Sequence, residues 1–152
     1  MTTTAHRSID VSPLRRVHRG PVLTSADDGW DAARTPWNVA VQQRPAAVAR
    51  ARSTNDIVAA VRFARDSGLR VRVQGTGHGA CGDLDGALLI DTSALRGVEI
   101  DAARPVARLE PGAGWSDLTG PAPAPRLAGL SRSTRGVAGA GRPPRRRRGR
   151  PG

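Results

Sequence analysis

The chain contains no lysine and no tyrosine, and has only one cysteine and one phenylalanine among its 152 residues. Without lysine there is no Gly-Lys-Ser/Thr signature, which excludes a P-loop nucleotide site. The single cysteine, Cys81, excludes an intrachain disulfide and a thiolate metal cluster. No apolar run approaches the roughly 20 residues that a membrane-spanning helix needs. We therefore expect a cytoplasmic protein with no membrane partner.

The positive charge lies mainly at the carboxyl end. All 24 basic residues are arginines, and the formal net charge is +11. Nine arginines and no acidic residue fall in residues 120–152, whereas residues 1–119 contain 15 arginines and 13 acidic residues. An arginine-rich tail that binds nucleic-acid phosphates is therefore an alternative function. Because this tail has no aromatic side chain for base stacking, nucleic acid is not the favoured partner.

Composition divides the chain into three parts. Residues 1–23 are polar and are interpreted as a leader or short docking segment. Residues 24–119 carry the periodic apolar patterns of a folded domain. Residues 120–152 are rich in proline, glycine and arginine without an apolar period, which predicts disorder. In a GC-rich gene, glycine and alanine codons that are read out of frame encode arginine, alanine and proline. We therefore hypothesise that the reading frame is shifted somewhere between Leu118 and Gly141.

A parallel strand–helix–strand unit is predicted to begin at Ala46. The apolar run of residues 46–51 suits a buried strand, and residues 70–74 alternate as a second strand. Ser53 precedes Asp56 by three residues, as in a capping box, so it is predicted to begin the helix. A glycine at position 68 is predicted to end it. The predicted buried face of the helix consists of Ile57, Val58, Val61 and Ala64.

Further elements are predicted on both sides of this unit. Residues 87–90 suit a third strand, and residues 98–100 and 106–110 alternate as an antiparallel hairpin. A short helix is predicted to begin at Trp115. Upstream, Trp30 and Trp37 are seven residues apart, the spacing of one helical face, and are interpreted as packing a first turn against the core.

The stretch Gly75-Thr76-Gly77-His78-Gly79 follows the second strand of the unit. Its glycines allow a sharp turn or the close approach of a ligand. The string fits the Rossmann fingerprint, but no helical pattern follows it, and such a site needs a helix N-terminus there. Successive backbone amides can instead form an anion-binding concavity. The residues alone predict a phosphate-binding loop with a histidine that is either structural or functional, and they predict no metal site.

Several separated motifs resemble, in the same order, the flavin domain of FAD-linked oxidases, the family of berberine-bridge-type enzymes and para-cresol methylhydroxylase (PCMH). The motifs are Arg44-Pro45, Ser53-Thr-Asn-Asp-Ile57, Val71-Arg-Val-Gln-Gly-Thr-Gly-His78, Gly86–Leu95 and Pro111-Gly-Ala-Gly-Trp115. The resemblance implies an α/β fold, the N-terminal subdomain of a PCMH/VAO-type FAD-binding domain, over residues 24–119. This fold would combine the parallel strand–helix–strand unit with the antiparallel hairpin.

The same resemblance implies FAD as the cofactor. The residues that it assigns to cofactor binding are Gln74, Gly75, Thr76, Gly77, His78 and Gly79. In that family the loop amides hold the pyrophosphate, and the histidine at the position of His78 often bonds covalently to the 8α-methyl carbon of the isoalloxazine. Thr76 stands where a glycine is usual, and Cys81 does not correspond to the second, cysteinyl attachment of bicovalent members.

The implied activity is that of an oxidoreductase, which transfers hydride from an alcohol or amine-type carbon of a small-molecule substrate to flavin. Family members continue beyond the region of Trp115 with a second glycine-rich flavin-binding stretch and a substrate domain. This sequence matches those parts only faintly, so we expect a truncated oxidoreductase that is inactive alone. No residue can be named as the catalytic base, and a non-catalytic structural fragment is a further alternative.

Overall fold

The structure, a computed structural model, describes residues 9–101 and 106–118. These residues contain four helices and six strands. In chain order they are α1 (Ser12–Arg15), β1 (Val22–Leu23), α2 (Trp30–Arg34), β2 (Ala47–Arg50), α3 (Thr54–Asp66), β3 (Val71–Gln74), β4 (Leu88–Asp91), β5 (Val98–Asp101), β6 (Val106–Leu109) and α4 (Trp115–Leu118). None of these helices has the length and apolar character needed to cross a bilayer. The predicted disorder of residues 120–152 and the frame slip concern residues outside the described ranges.

The main sheet has four strands in the order β1-β2-β4-β3. Both β2 and β3 run parallel to β4, and Leu88 lies opposite Ala47 on one side and Val71 on the other. Strand β1 pairs antiparallel with β2. The predicted parallel strand–helix–strand unit is thus confirmed, but β4 lies between its two strands. Leu88, Leu89 and Ile90 are all buried, as expected for a central parallel strand covered on both faces.

The predicted hairpin and the helix after it are also confirmed. Strands β5 and β6 pair antiparallel as a separate two-stranded sheet, with Val98 opposite Leu109. Helix α4 begins at Trp115, as the sequence predicts.

Helix α3 begins and ends at the residues that the sequence predicts. The Ser53 side chain accepts a hydrogen bond from the backbone N–H of Asp56 at 3.3 Å. At the other end Gly68 has φ of +66°, a conformation that glycine adopts without steric cost. The backbone N–H of Leu69 donates to Ala64 and that of Gly68 to Arg65, which together form a Schellman motif.

The predicted buried face of α3 is wrong for two of its four residues. Val58 is 41% exposed and Val61 is 46% exposed. The fully buried hydrophobic residues are instead Ala60 and Ala64, and Ile57 is partly buried. Because alanine has a small side chain, a helix can approach a sheet closely along such a stripe. The buried face is therefore rotated by about one residue from the one that the larger side chains suggest.

The main core lies between α1, α3 and the sheet. Residues 9–23, which the sequence assigns to a leader, contribute Val11, Leu14 and Val22 to it. A smaller cluster on the other sheet face contains Trp30 but not Trp37. Because Trp37 is 69% exposed, the interpretation that both tryptophans pack against the core is wrong. The structure shows why: helix α2 ends at Arg34, before Trp37, so the two residues do not share a helical face.

The carboxylate of Asp56 joins the N-terminal segment to the start of α3. The side chain is 1% exposed and accepts backbone hydrogen bonds from Arg19 and Arg52, each at 2.8 Å. Burial raises the pKa of Asp56, but these N–H donors outweigh it and hold the pKa below its ordinary 3.8. The ionised form is therefore the one that the folded chain stabilises.

Replacement of Ala60 by leucine should test the corrected helix face. Ala60→Leu inserts a larger side chain against the sheet and should lower the free energy of unfolding by about 1–3 kcal/mol. The matched change Val61→Leu, at an exposed position, should alter it by less than about 0.5 kcal/mol. Urea unfolding followed by circular dichroism measures both. A larger loss of unfolding free energy in Val61→Leu than in Ala60→Leu would contradict the corrected face and support the one that the sequence predicts.

Replacement of Asp56 by asparagine should destabilise the chain in a pH-dependent way. At pH 7, Asp56→Asn should cost about 1.5–3 kcal/mol, because a charged acceptor of two backbone N–H groups is lost. Because the folded-state pKa is depressed, this stabilisation is present above the unfolded value near 3.8 and disappears as the pH falls through the lower folded value. The difference between wild type and variant should therefore shrink in acid. The exposed Asp28, replaced in the same way, provides the control.

Candidate functional site

The glycine-rich loop of residues 75–79 lies at the carboxyl end of β3. Strand β4 is parallel to β3, so its own carboxyl end lies at the same edge of the sheet. Thr92 joins the two, since its backbone N–H donates to the Gln74 carbonyl at 2.8 Å and its hydroxyl to the same oxygen at 3.3 Å. The carboxyl edge of parallel strands is where open α/β sheets bind ligands. The loop thus lies in the expected position for a binding site.

Two of the three loop glycines have steric reasons to be glycine. A Cβ atom on Gly75 would lie 2.9 Å from the Pro111 carbonyl oxygen. Gly77 has φ of +72°, and a Cβ there would lie 3.0 Å from the Trp37 backbone nitrogen. Gly79 has no neighbour within 4 Å of such an atom. Close packing against the segments of Pro111 and Trp37 therefore fixes the first half of the loop, and the second half is open.

The loop has several free backbone donors. No backbone N–H of residues 75–79 donates a hydrogen bond to another residue within the described ranges, although the Gly77 carbonyl accepts from Ala80 at 3.3 Å. Successive free amides of this kind are the donors of an anion-binding concavity. Replacing the usual glycine by Thr76 leaves the N–H of that residue available. The backbone, rather than any charged side chain, thus supplies the donors of this candidate site.

His78 is exposed and lies against Trp37. The two ring centroids are 4.6 Å apart, and the ring planes make an angle of 37°. Neither imidazole nitrogen hydrogen bonds to another described residue. The imidazole is therefore held by its ring contact with Trp37, and both of its nitrogens remain available. Trp37 is a site residue that the sequence analysis missed. Its spacing from Trp30 suggested a helical face, and no local signal connects it with a loop forty residues away.

Gln43 is a second residue that the sequence analysis missed. It is 2% exposed, and its side-chain amide contacts both ends of the glycine-rich loop through Gln74 and Cys81. The side chain of Gln74, which the sequence analysis did place at the site, is thus held from the segment that precedes β2. No pattern in the sequence indicates this contact, because it depends on how that segment lies against the loop.

Ion pairs connect the segment between the loop and β4 with β3 and the residue before it. Asp83 pairs with Arg72 at 2.7 Å and with Arg70 at 3.2 Å. Hydrogen bonds first from Arg72 and then from Arg70 lower the pKa of Asp83. At the sheet edge, Asp91 pairs with Arg50 at 2.6 Å.

Cys81 is exposed, and no group of three or more His, Cys, Asp or Glu side chains in the described ranges could hold a metal ion.

Comparison with known sequences gives a match to one family model and to several oxidases. Residues 45–141 match the family described as FAD binding domain. (R)-6-hydroxynicotine oxidase of Paenarthrobacter nicotinovorans is 34% identical over 102 residues, which are 66% of this chain and 22% of that protein. Glucooligosaccharide oxidase of Sarocladium strictum is 37% identical over 78 residues, which are 49% of this chain and 16% of that protein.

Solved structures of similar proteins show the same fold. Crystalline 6-hydroxy-D-nicotine oxidase from Arthrobacter nicotinovorans matches with a TM-score of 0.62 and 34% identity over 70% of this chain and 24% of that one. Xylooligosaccharide oxidase from Myceliophthora thermophila matches with a TM-score of 0.61 and 26% identity over the same shares. The chain therefore spans about a quarter or less of the length of these relatives. The predicted PCMH/VAO-type α/β fold is confirmed.

Alanine substitution of two loop glycines should have unequal effects. Gly77→Ala forces a residue with a side chain into a left-handed conformation and should cost about 1–2 kcal/mol of stability. Gly79→Ala places its Cβ in open space and should change stability by no more than about 1 kcal/mol. Thermal unfolding compares the two variants. Equal losses would show that neither the left-handed backbone conformation nor the contact with Trp37 constrains Gly77.

Proposed function

We propose that this chain, which belongs to the family of FAD binding domains and therefore has FAD as its cofactor, forms part of the FAD site of an oxidoreductase. In this proposal the backbone amides of residues 75–79 hold the pyrophosphate, and Gln74 lies beside them. The observation that carries the proposal is the row of amides left free of partners in the described ranges, at the carboxyl edge of the parallel strands.

The packing of the loop supports the proposal as well as its free backbone amides. Gly75 and Gly77 hold the loop against the segments of Pro111 and Trp37, where a side chain would clash or be strained. Gly79 faces open space, which leaves room for a ligand at the second half of the loop. A loop fixed by its packing presents its N–H donors without first having to be ordered, which favours affinity.

We propose the reaction class of oxidases, the oxidation of an alcohol or amine-type carbon in a small-molecule substrate. The names of the relatives, 6-hydroxynicotine oxidase and glucooligosaccharide oxidase, support this class. Bound FAD would supply the hydride acceptor. The residues of this chain would bind and orient it, and none of the described residues is assigned as the catalytic base. A nucleic-acid function is not favoured, because the matched relatives are flavoprotein oxidases.

We further propose that turnover requires segments that the relatives have and that this chain does not match. The chain spans 22% of the 6-hydroxynicotine oxidase sequence. Affinity for a ligand of this size comes from burying most of its surface, and one loop buries only a part. FAD should therefore bind to the chain reversibly and weakly, and the chain alone should not oxidise substrate.

His78 is the proposed attachment residue for the flavin. Its support is the exposed imidazole, which has free nitrogens and is held against Trp37 at a ring separation of 4.6 Å. His78 lies among the amides that are proposed to hold the pyrophosphate, so it would belong to the same FAD site.

Flavin titration should test the proposed site. The purified chain should quench the fluorescence of added FAD, whereas Gly75→Ala should abolish this quenching, because its Cβ would meet the Pro111 carbonyl and displace the loop. Gly79→Ala is the control, because its Cβ would contact no other protein atom and should not displace the loop. Its loss of quenching should be smaller than that of Gly75→Ala. Absence of quenching by the wild-type chain would contradict the cofactor site. Oxidation of 6-hydroxynicotine by the wild-type chain with FAD would contradict the proposed need for further segments.

Covalent attachment should depend on His78. The chain is joined to the part of (R)-6-hydroxynicotine oxidase that it does not cover, incubated with FAD and denatured, and the polypeptide is separated by electrophoresis. Flavin fluorescence should stay with the polypeptide in the wild type and in His6→Ala, and should be lost in His78→Ala. Reversible FAD binding should persist in His78→Ala, because backbone amides supply the donors. Retained fluorescence in that variant would assign the attachment to another residue.

A further inference from the structure

Gln43 lies in the segment before β2 and is almost completely buried, with 2% of its surface exposed. Its side-chain nitrogen donates to Oε1 of Gln74 at 2.9 Å and to the carbonyl oxygen of Cys81 at 3.2 Å. These two acceptors lie on either side of the glycine-rich loop. A single amide group thus connects the start of the loop with its end.

The orientation of both glutamine amides follows from the nature of the acceptors. A backbone carbonyl such as that of Cys81 can only accept, so Gln43 must present its NH₂ group to it. The same NH₂ group then donates to Gln74, which must present its oxygen in return. The NH₂ group of Gln74 is left without a partner in the described parts of the chain. Two further N–H donors are therefore available beside the loop amides.

The backbone of Gln43 is itself fixed from the other side. The Arg34 guanidinium donates to the Gln43 carbonyl at 3.0 Å and also pairs with Asp31 at 2.6 Å. Arg34 ends helix α2, so that helix holds the segment from which the Gln43 side chain extends. The amide therefore reaches the loop from a position that is set independently of the loop.

A purely structural role does not explain this residue. Oε1 of Gln43 is buried and has no hydrogen-bond partner within the described ranges. A buried acceptor without a donor lowers stability, and an apolar side chain of similar shape would avoid that cost. Residues that reduce stability in this way are characteristic of functional sites, where stability is balanced against activity.

We propose that Gln43 is a positioning residue of the FAD site. It holds both ends of the loop at a fixed separation, so that the amides of residues 75–79 stay in a row, and it orients Gln74 so that its NH₂ group can donate to an oxygen of the cofactor. This inference rests on the proposed function, since it concerns the same loop. It adds a residue that does not itself touch the cofactor.

The test compares Gln43→Met with Gln42→Met in the full chain. Methionine has a similar shape and removes the unsatisfied oxygen, and the exposed Gln42 is the adjacent glutamine. The dissociation constant for FAD is measured by quenching of flavin fluorescence, and the melting temperature is measured without FAD. Because two hydrogen bonds to the loop are lost, Gln43→Met should weaken FAD binding about tenfold. Its melting temperature should stay within about 2 °C of that of the wild type, and Gln42→Met should change neither quantity.

The outcomes separate this inference from the proposed function. Wild-type affinity in Gln43→Met would overturn the positioning role and leave the FAD site intact. A parallel fall of melting temperature and affinity would show a structural role and would also overturn it. If the wild-type chain does not bind FAD, the proposed function fails and the inference fails with it.

A second variant addresses a failure of Gln43→Met to fold. Gln43→Asn keeps the amide but is one methylene shorter, so it cannot reach both Gln74 and Cys81. It should fold and bind FAD several-fold more weakly than the wild type. Unchanged affinity in Gln43→Asn, or failure of both variants to fold, would overturn the proposal.

Discussion

The pairing of β3 with β4 is the constraint on which the candidate site depends. Because β4 runs parallel to both of its neighbours, the carboxyl ends of three strands meet at one edge of the sheet. Thr92 then fixes the end of β3 through its bonds to Gln74. The segment of Pro111 and Gly112 returns to the same edge, and Gly112 packs so closely on Thr92 that a Cβ would clash with its carbonyl oxygen. The shape of the loop is thus a product of the sheet.

The sequence was most informative where the structure depends on neighbours along the chain. The cap at Ser53 and the stop at Gly68 involve contacts within five residues, and each was predictable from local chemistry. The buried face of α3 was not, because Val61 carries more weight in an apolar pattern than Ala60 although the alanine packs closer. A small residue leaves almost no trace in such a pattern, yet it decides how near a helix can lie to a sheet.

The residues of the candidate site fall into the same two groups, those that the local sequence predicts and those that long-range contacts bring to the loop. A loop at residues 75–79 after a strand was predictable, since glycine spacing after a strand is a local feature. The contributions of Gln43 and Trp37 were not, because each reaches the loop across thirty or more residues of chain. The insertion of β4 between β2 and β3 is of the same kind, as strand order depends on pairings that no single segment specifies.

The use of backbone donors has a consequence for the response of the site to solution conditions. Amide N–H groups do not titrate, so the hydrogen-bond donors that the backbone of residues 75–79 supplies stay the same wherever the fold is intact. A lysine side chain that served as the donor would lose its charge at high pH, and a histidine side chain would lose it near neutrality. The contribution of these amides to the proposed recognition of an anion therefore varies with pH only through ionisation of the ligand. The proposed site for a doubly charged group therefore requires no lysine, and the chain has none.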